Sequence, residues 1–467
     1  MIPIGETHDG RADMTNFEMD LFDTRMHTVK TVKDEEDGCC GTSSSNRKRI
    51  VKPACLPISI LSLLIIALVF LPLFKDEDLE SPDKMSLTQS CRTPCSLFVV
   101  ESIPTGLSLP PPTHDSTWKS WVDIIDNTNE FLDIAALYWN LREDGFPTAD
   151  KGRAVFDALL RAGKRGVKIR IAQEGNAGLS KNEDSAYLAQ NAGAQFMISD
   201  MRTIYIGSAN MDWKSLTEVK ELGVVVRNCS CIAADLYRIF AVYWRLGEED
   251  SRIPPSWPIS YRTQYNLRNP MDLPLTGGLH SSLFISSSPT PFNPKGREED
   301  LLAIVGLMKG SKRRVSVAVM DFLPMTIYMK SNSYWSALDT SLRDAAFRGV
   351  DVKLLISHWN HTRKATLPFL KSLVDINEGL PFKSGRISVK FFTVPSDEEQ
   401  KKIPFARVNH NKYMVADDVA YIGTSNWAGD YFISTAGIGF ALNSTQISGQ
   451  LQSVFDRDWN SPYADSI

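Results

Sequence analysis

Residues 408–429 read VNHNKYMVADDVAYIGTSNWAG, and the fold follows from how this stretch is laid out. Apolar and polar residues alternate around Tyr413 and Val415 and again from Val419 to Ile422, with Asp417 and Asp418 between. This spacing predicts two short strands joined by a turn. His410 and Lys412 lie two apart on the first strand and so share one face. An imidazole beside an ammonium grips a phosphate: the lysine holds the charge, and the histidine moves a proton or attacks phosphorus. The small residues of Gly423-Thr424-Ser425-Asn426 let backbone N–H groups and an amide approach the same anion. An H-x-K pair alone is commonplace on a solvated strand. With Asp417 and the GTSN tail at this spacing, it reads as a phosphate site.

Working outward, the chain repeats itself. Residues 131–139 (FLDIAALYW) align with 314–322 (RVSVAVMDF) at an offset of 183, and 165–169 align with 348–352 at the same offset. Residues 205–210 (YIGSAN) match 421–426 (YIGTSN) at an offset of 216, and Trp244 and Trp459 close the halves at 215. Each half offers an apolar strand, an amphipathic helix (154–160; 337–345) and a second strand. The expected fold is α/β, a duplicated α-β-α sandwich of two pseudo-twofold halves.

The offset rises from 183 to 216 between Ile171 and Tyr205. Subtracting 216 sets Ala194, Phe196 and Met201 opposite His410, Lys412 and Asp417, and none of the three can do that chemistry. Residues 194–198 instead resemble 387–392, a strand upstream of His410. About 22 residues, a loop with its own H-x-K strand, are therefore expected to be missing between Ser199 and Tyr205. The GSAN of residues 207–210 remains. This reads as an excision, either in a shortened isoform or in a half that now only completes the fold.

With 467 residues, the chain has room for two or three domains or one large duplicated one. A net charge of -4 excludes a whole-surface basic footprint, so any nucleic-acid contact is local. Residues 1–55, with an acidic run at 34–37 and the basic Arg47-Lys48-Arg49, read as a disordered cytosolic tail. Residues 56–74 carry no charge. At ~1.5 Å per residue they match a hydrocarbon core of about 30 Å. Basic residues precede this segment, and Asp76, Glu77, Asp78 and Glu80 follow it. The positive-inside rule makes it a type II transmembrane signal anchor. Beyond it come a stalk (75–90), a first half (91–253) and a second half (254–467), all lumenal. Three N-glycosylation triplets, at Asn228, Asn360 and Asn443, agree with that side. So does the even number of cysteines there: Cys91, Cys95, Cys229 and Cys231 suit disulfides, with a zinc site as the rival reading.

Residues 99–104 (VVESIP), 207–213 (GSANMDW), 220–223 (KELG), 228–231 (NCSC) and 407–415 together resemble the phospholipase D superfamily. Within it they resemble the type II, endolysosomal branch, whose members act as 5′-to-3′ exonucleases on single-stranded DNA and RNA. The resemblance covers about residues 91–463 and implies two H-x-K motifs meeting on a pseudo-twofold axis. One histidine attacks phosphorus to give a phosphohistidine, and the other protonates the leaving oxygen. No metal or other cofactor is implied, because lysine and asparagine groups neutralise the phosphate.

By position, the resemblance implies His410 as general acid and Lys412, Asn426 and Asn210 as phosphate ligands. Asp417 would support the motif. The nucleophilic histidine has no counterpart, and His358 and His361 near a strand end are the substitutes to weigh. The implied partners are single-stranded nucleic acid and a membrane through residues 56–74. A homodimer is implied too, since some single-motif members pair two motifs across an interface, although the first half here occupies the partner's place. The expected function is a membrane-anchored phosphodiesterase of the exonuclease kind, in the lumen from endoplasmic reticulum to lysosome. The alternatives are a non-catalytic phosphate- or nucleic-acid-binding protein and, from the superfamily name alone, a phospholipid hydrolase. Trp427, Tyr431 and Phe432 are candidates to stack on bases, with core packing as their other reading.

Overall fold

Runs such as Arg314–Val319 (RVSVAV) and Glu221–Arg227 (ELGVVVR) are rich in β-branched residues, which pack well on a pleated surface. They build two mixed sheets in a computed structural model that describes residues 91, 93–143, 145–173, 184, 196–248, 250–277 and 279–467. The first half contributes β1 (Ser96–Ser102), β2 (Asp115–Ser116), β3 (Phe131–Ala136), β4 (Trp139–Asn140), β5 (Lys168–Gln173), β6 (Phe196–Ser199), β7 (Thr203–Gly207), β8 (Met211–Asp212) and β9 (Glu221–Arg227). The second contributes β10 (Met271–Leu275), β11 (Leu279–Ser288), β12 (Glu298–Glu299), β13 (Arg314–Val319), β14 (Phe322–Leu323), β15 (Asp351–Ser357), β16 (Ile387–Phe392), β17 (Lys412–Ala416), β18 (Val419–Gly423), β19 (Trp427–Ala428), β20 (Gly437–Asn443) and β21 (Ala464–Ser466).

One sheet runs β2-β1-β9-β7-β6-β3-β5 and the other β10-β11-β20-β18-β17-β13-β15-β16-β21. The two match strand for strand from β1 and β11 inward, with the same sense at each pairing. The expected duplicated α/β architecture is therefore present. Helices α1 (Thr117–Asp126) and α2 (Asp150–Lys164) cover the first sheet. Val155, Leu159 and Ala162 of α2 fall at helical spacing, a stripe that packs with Trp121 on Leu132, Ile134 and Met197. In the second half, Val315, Val317 and Ile356 form the corresponding core with Leu338 and Leu342. Each such aliphatic side chain contributes about 1.5–3 kcal/mol by leaving water.

The structure corrects where the first half is short. β6 pairs antiparallel with both β3 and β7, the place that β17 holds between β13 and β18. The strand expected to correspond to residues 387–392 is instead the counterpart of β17, so the motif strand itself is present. The Asp200 carboxylate accepts the N–H groups of Asn129, Glu130 and Phe131 at 2.8, 2.9 and 3.0 Å. The Asp417 carboxylate accepts those of Lys312, Arg313 and Arg314 at 2.6, 3.0 and 3.0 Å. Asp200, not Met201, is thus the counterpart of Asp417. Counting back from it, the sequence has Gln195 and Gly193 where the second half has Lys412 and His410. Those two positions, and Ala194, lie outside the described residues. The shortfall lies in the connection from β5 to β6, where β16 has no counterpart among the described residues.

Two further helices, α3 (Ser230–Leu246) and α4 (Thr445–Trp459), carry buried charges that join the halves. Arg457 donates to Glu101 of β1 at 2.6 and 3.1 Å and to Asp458 at 2.9 Å. Lys220 reaches Asp458 at 2.6 Å, and all four side chains are shut from solvent. On α3, Asp235 binds Arg297 of the second half at 2.6 Å, and Arg297 also donates to the Ile285 carbonyl at 3.0 Å.

Disulfides Cys91–Cys231 and Cys95–Cys229 tie the residues before β1 to the start of α3. All four sulfurs lie within 4.8 Å of one another. Asn228, Asn360 and Asn443 are all exposed. The tail, anchor and stalk read at residues 1–90 lie outside the described residues. Among the described residues no helix is long and apolar enough to cross a membrane.

Removing one partner of a buried ion pair strands the other. Arg297→Met is expected to lower stability by about 3 kcal/mol, read as a lower urea midpoint with an unchanged slope; a shift within error would show the pair to be dispensable.

Candidate functional site

The approach to β17 is held by the first half as well as by its own sheet, where Asn409 N–H donates to the Ser357 hydroxyl at 3.1 Å. Arg407 N–H donates to the Glu218 carbonyl at 3.1 Å, Lys220 N–H to Val408 at 2.9 Å, and His410 N–H to Lys220 at 2.8 Å. The stretch from Arg407 to His410 thereby runs along Glu218–Lys220 and delivers His410 to the seam between the sheets.

There, His410 Nδ1 lies 2.9 and 3.0 Å from the two oxygens of Glu221 and 3.0 Å from the Ser208 carbonyl. With acceptors on that side, Nδ1 carries the proton, and in the neutral ring the lone pair sits on Nε2. Glu221 is held in turn by the hydroxyls of Ser208 at 2.6 Å and Ser215 at 2.8 Å. Lys412 Nζ donates to the His410 carbonyl at 3.0 Å. Burial pulls its ammonium down to about 8, against the opposing pull of Glu221 and Asp321. Asn426 Nδ2 donates to the Tyr431 hydroxyl at 3.0 Å.

Ser208, Asn210, His410, Lys412, Thr424 and Asn426 line one cleft. Four of the residues expected from the sequence, His410, Lys412, Asn426 and Asn210, are thus brought together from both halves. An ammonium, amide groups and an oriented imidazole thus surround one space, an arrangement chemically suited to an anion.

Asp417 is not in it. It sits at the far end of β17, where burial would raise its carboxyl but three backbone N–H groups and Arg313 hold it below the usual range. Counted with His410 and Lys412 as a candidate of the catalytic motif that it would support, it is by position a turn anchor outside the cleft. Trp427 and Phe432 are also withdrawn as stacking residues, because both are buried in the second core, where Phe432 stacks on Trp335 at 5.5 Å. Only Tyr431 of that trio reaches the cleft. His358 is exposed, with its ring 3.4 Å from the Thr393 hydroxyl, and His361 stacks on Phe405 at 4.8 Å. Neither lines the cleft. The sequence reading passed over Glu221 and Ser208. The signal was there in KELG: the residue at Glu221's counterpart, at the 216 offset, is Gly437.

A family model described as PLD3/4, PLD-like domain matches residues 110–397. The chain is 53% identical to "Probable phospholipase D F09G2.8" of Caenorhabditis elegans, with 100% of this chain and 89% of that protein covered. That match runs over 502 positions, more than the 467 residues here, so the relative holds residues that this chain lacks. The chain is 40% identical to the "5'-3' exonuclease PLD3" of Homo sapiens, covering 81% of this chain and 82% of that one. Among solved structures it is similar to the phosphatidylserine synthase of Haemophilus influenzae Rd KW20, at 11% identity and a TM-score of 0.49, with 75% and 85% of the two chains covered. A model matching more than half of the chain, and relatives this similar over most of their length, place it: the chain belongs to the PLD3/4 group of the phospholipase D family.

Proposed function

We propose that this chain binds a phosphodiester of single-stranded nucleic acid at His410 and Lys412, and that with one histidine it does not sustain two-step turnover. The observation that carries this is the asymmetry of the seam. His410 and Lys412 are oriented and buried beside Glu221, while the sequence ahead of Asp200 spells Gly193 and Gln195. Between His114 and His280 the chain has no histidine at all. Displacement at phosphorus needs a nucleophile on one side and a proton donor on the other. His410 can serve as one of these, and without the other the two-step transfer has no path within one chain.

The polymer follows from the relatives named as 5'-3' exonucleases, and Asn210, Lys412 and Asn426 are suited to a phosphodiester's oxygens. The same reading anchors the chain through residues 56–74 with its N-terminus cytosolic and its body in the endoplasmic reticulum-to-lysosome lumen. The exposed asparagines of the three triplets and the two disulfides fit that compartment. A second copy is a poor source of the missing histidine, since Ser208, Asn210 and Glu221 of the same chain already face His410.

With full-length protein in detergent, fluorescence anisotropy is expected to show a single-stranded oligonucleotide binding at least tenfold more weakly to His410→Ala and Lys412→Ala. Lys412 carries its charge below about 8 and loses it above. Affinity is therefore expected to fall roughly tenfold from pH 7 to pH 9, one proton's worth of linkage over the upper unit, and to lose that dependence in Lys412→Met. The unmodified chain is expected to leave the strand intact. Gly193→His with Gln195→Lys restores the H-x-K-x4-D spelling before Asp200, and about 100-fold faster digestion is expected from it. Digestion by the unmodified chain that disappears in His410→Ala would overturn the arrest.

A further inference from the structure

A second cavity shares Asn210 and His410 with the phosphate cleft. We infer that this cavity is a nucleobase pocket, which seats the base of the nucleotide whose phosphate is held at His410, with the ring of Phe405 as its stacking surface. The inference rests on the phosphodiester reading above and adds to it a second recognition site.

Three observations carry it. The first is the aromatic wall: Trp359 and Phe405 line the cavity, with His361 packed behind them, edge-on to Trp359 at 4.7 Å and stacked on Phe405 at 4.8 Å. The second is how Phe405 is presented. Nearly half its surface, 46%, is exposed, and its φ is +53°. Such a backbone is uncommon for a bulky side chain and persists only where the surroundings impose it. Here Arg407, itself at φ +56°, pins the segment: its guanidinium donates to the Pro395 and Thr105 carbonyls and to Glu218, each at 3.0 Å. The ring is thus held out rigidly beside His410 instead of folding into the core.

The third is the polar part of the lining, which is paired. The Tyr138 hydroxyl donates to Asp212 at 2.9 Å, and Lys214 lies 3.2 Å from the same carboxylate. Trp359 Nε1 is buried with no hydrogen-bond partner among the described residues. Aromatic side chains lining one cavity with donors and an acceptor suit a planar heterocycle with polar edges. An acyl chain in the same space would strip water from Asp212, Lys214 and the Trp359 N–H and return no hydrogen bond.

Anisotropy titration of the full-length protein with two strands of equal length and phosphate count tests this. One strand is a thymidine oligonucleotide, and the other is its fully abasic tetrahydrofuran analogue. The thymidine strand is expected to bind roughly tenfold more tightly, the size of one base–aromatic stack. Phe405→Ala is expected to erase that preference while leaving the abasic affinity and the thermal midpoint unchanged, and Phe405→Tyr to keep it. Equal binding of the two strands by the unmodified chain, or a preference that survives in Phe405→Ala, overturns the pocket and leaves the phosphodiester reading standing. Binding of neither strand overturns both.

Discussion

Glu101, Lys220, Arg457 and Asp458 are closed off from water between the two halves, two carboxylates against two cations. Burying four charges costs several kcal/mol each unless every one is paired, so the cluster tolerates very little change in how the sheets meet. Glu101 and Lys220 belong to the first half and Arg457 and Asp458 to the last helix of the second; each half brings one carboxylate and one cation, and the two 2.6 Å contacts, Arg457–Glu101 and Lys220–Asp458, cross between the halves. What the cluster fixes is then passed on through the backbone. Glu218–Lys220 is the edge along which Arg407 to His410 runs, and the next residue, Glu221, receives the imidazole. The geometry at His410 is therefore a consequence of the seam, set by charges that never touch the cleft.

Much of this was legible in the sequence. The alternation around Tyr413 and Val419 places β17 and β18, the 183 and 216 offsets give the duplication, and His410, Lys412, Asn210 and Asn426 do converge. The register of β6 was not legible, for a local reason. The turn from β17 to β18 is Asp417-Asp418, whereas the turn from β6 to β7 holds Asp200, Met201 and Arg202. One extra residue in that hairpin makes the offset 217 before the turn and 216 after it. Carrying the second value backward set Met201 opposite Asp417 and hid Asp200. Glu221 escaped for a different reason: a buried carboxylate that orients a histidine is identified by distance, and nothing in periodicity marks it.

The two sides of the seam were not chemically equivalent even before any residue was lost. At Gly437, the counterpart of Glu221, a Cβ would come within 2.4 Å of the Ser425 hydroxyl and 2.7 Å of that of Ser288. No carboxylate fits there, so the second half cannot present to a first-half histidine what Glu221 presents to His410. The orienting carboxylate serves one motif, and that is the motif the chain has kept.

The H-x-K-x4-D pattern divides into a part that builds the sheet and a part that meets phosphate. The aspartate collects three backbone N–H groups at the start of the neighbouring strand, in the same way at Asp200 and at Asp417. It stands at the end of the motif strand away from the cleft. Histidine precedes β17 and lysine is its first residue, paired with Val319; beyond them, Phe196 to Ser199 pair with β3 and β7 as Tyr413 to Ala416 do with β13 and β18. An excision of the motif strand would have opened two sheet edges and left a chain prone to association. Replacing its reactive end opens none. That separation is how the first half can lack the H-x-K residues while its Asn210, Ser208 and Glu221 still line the space around His410.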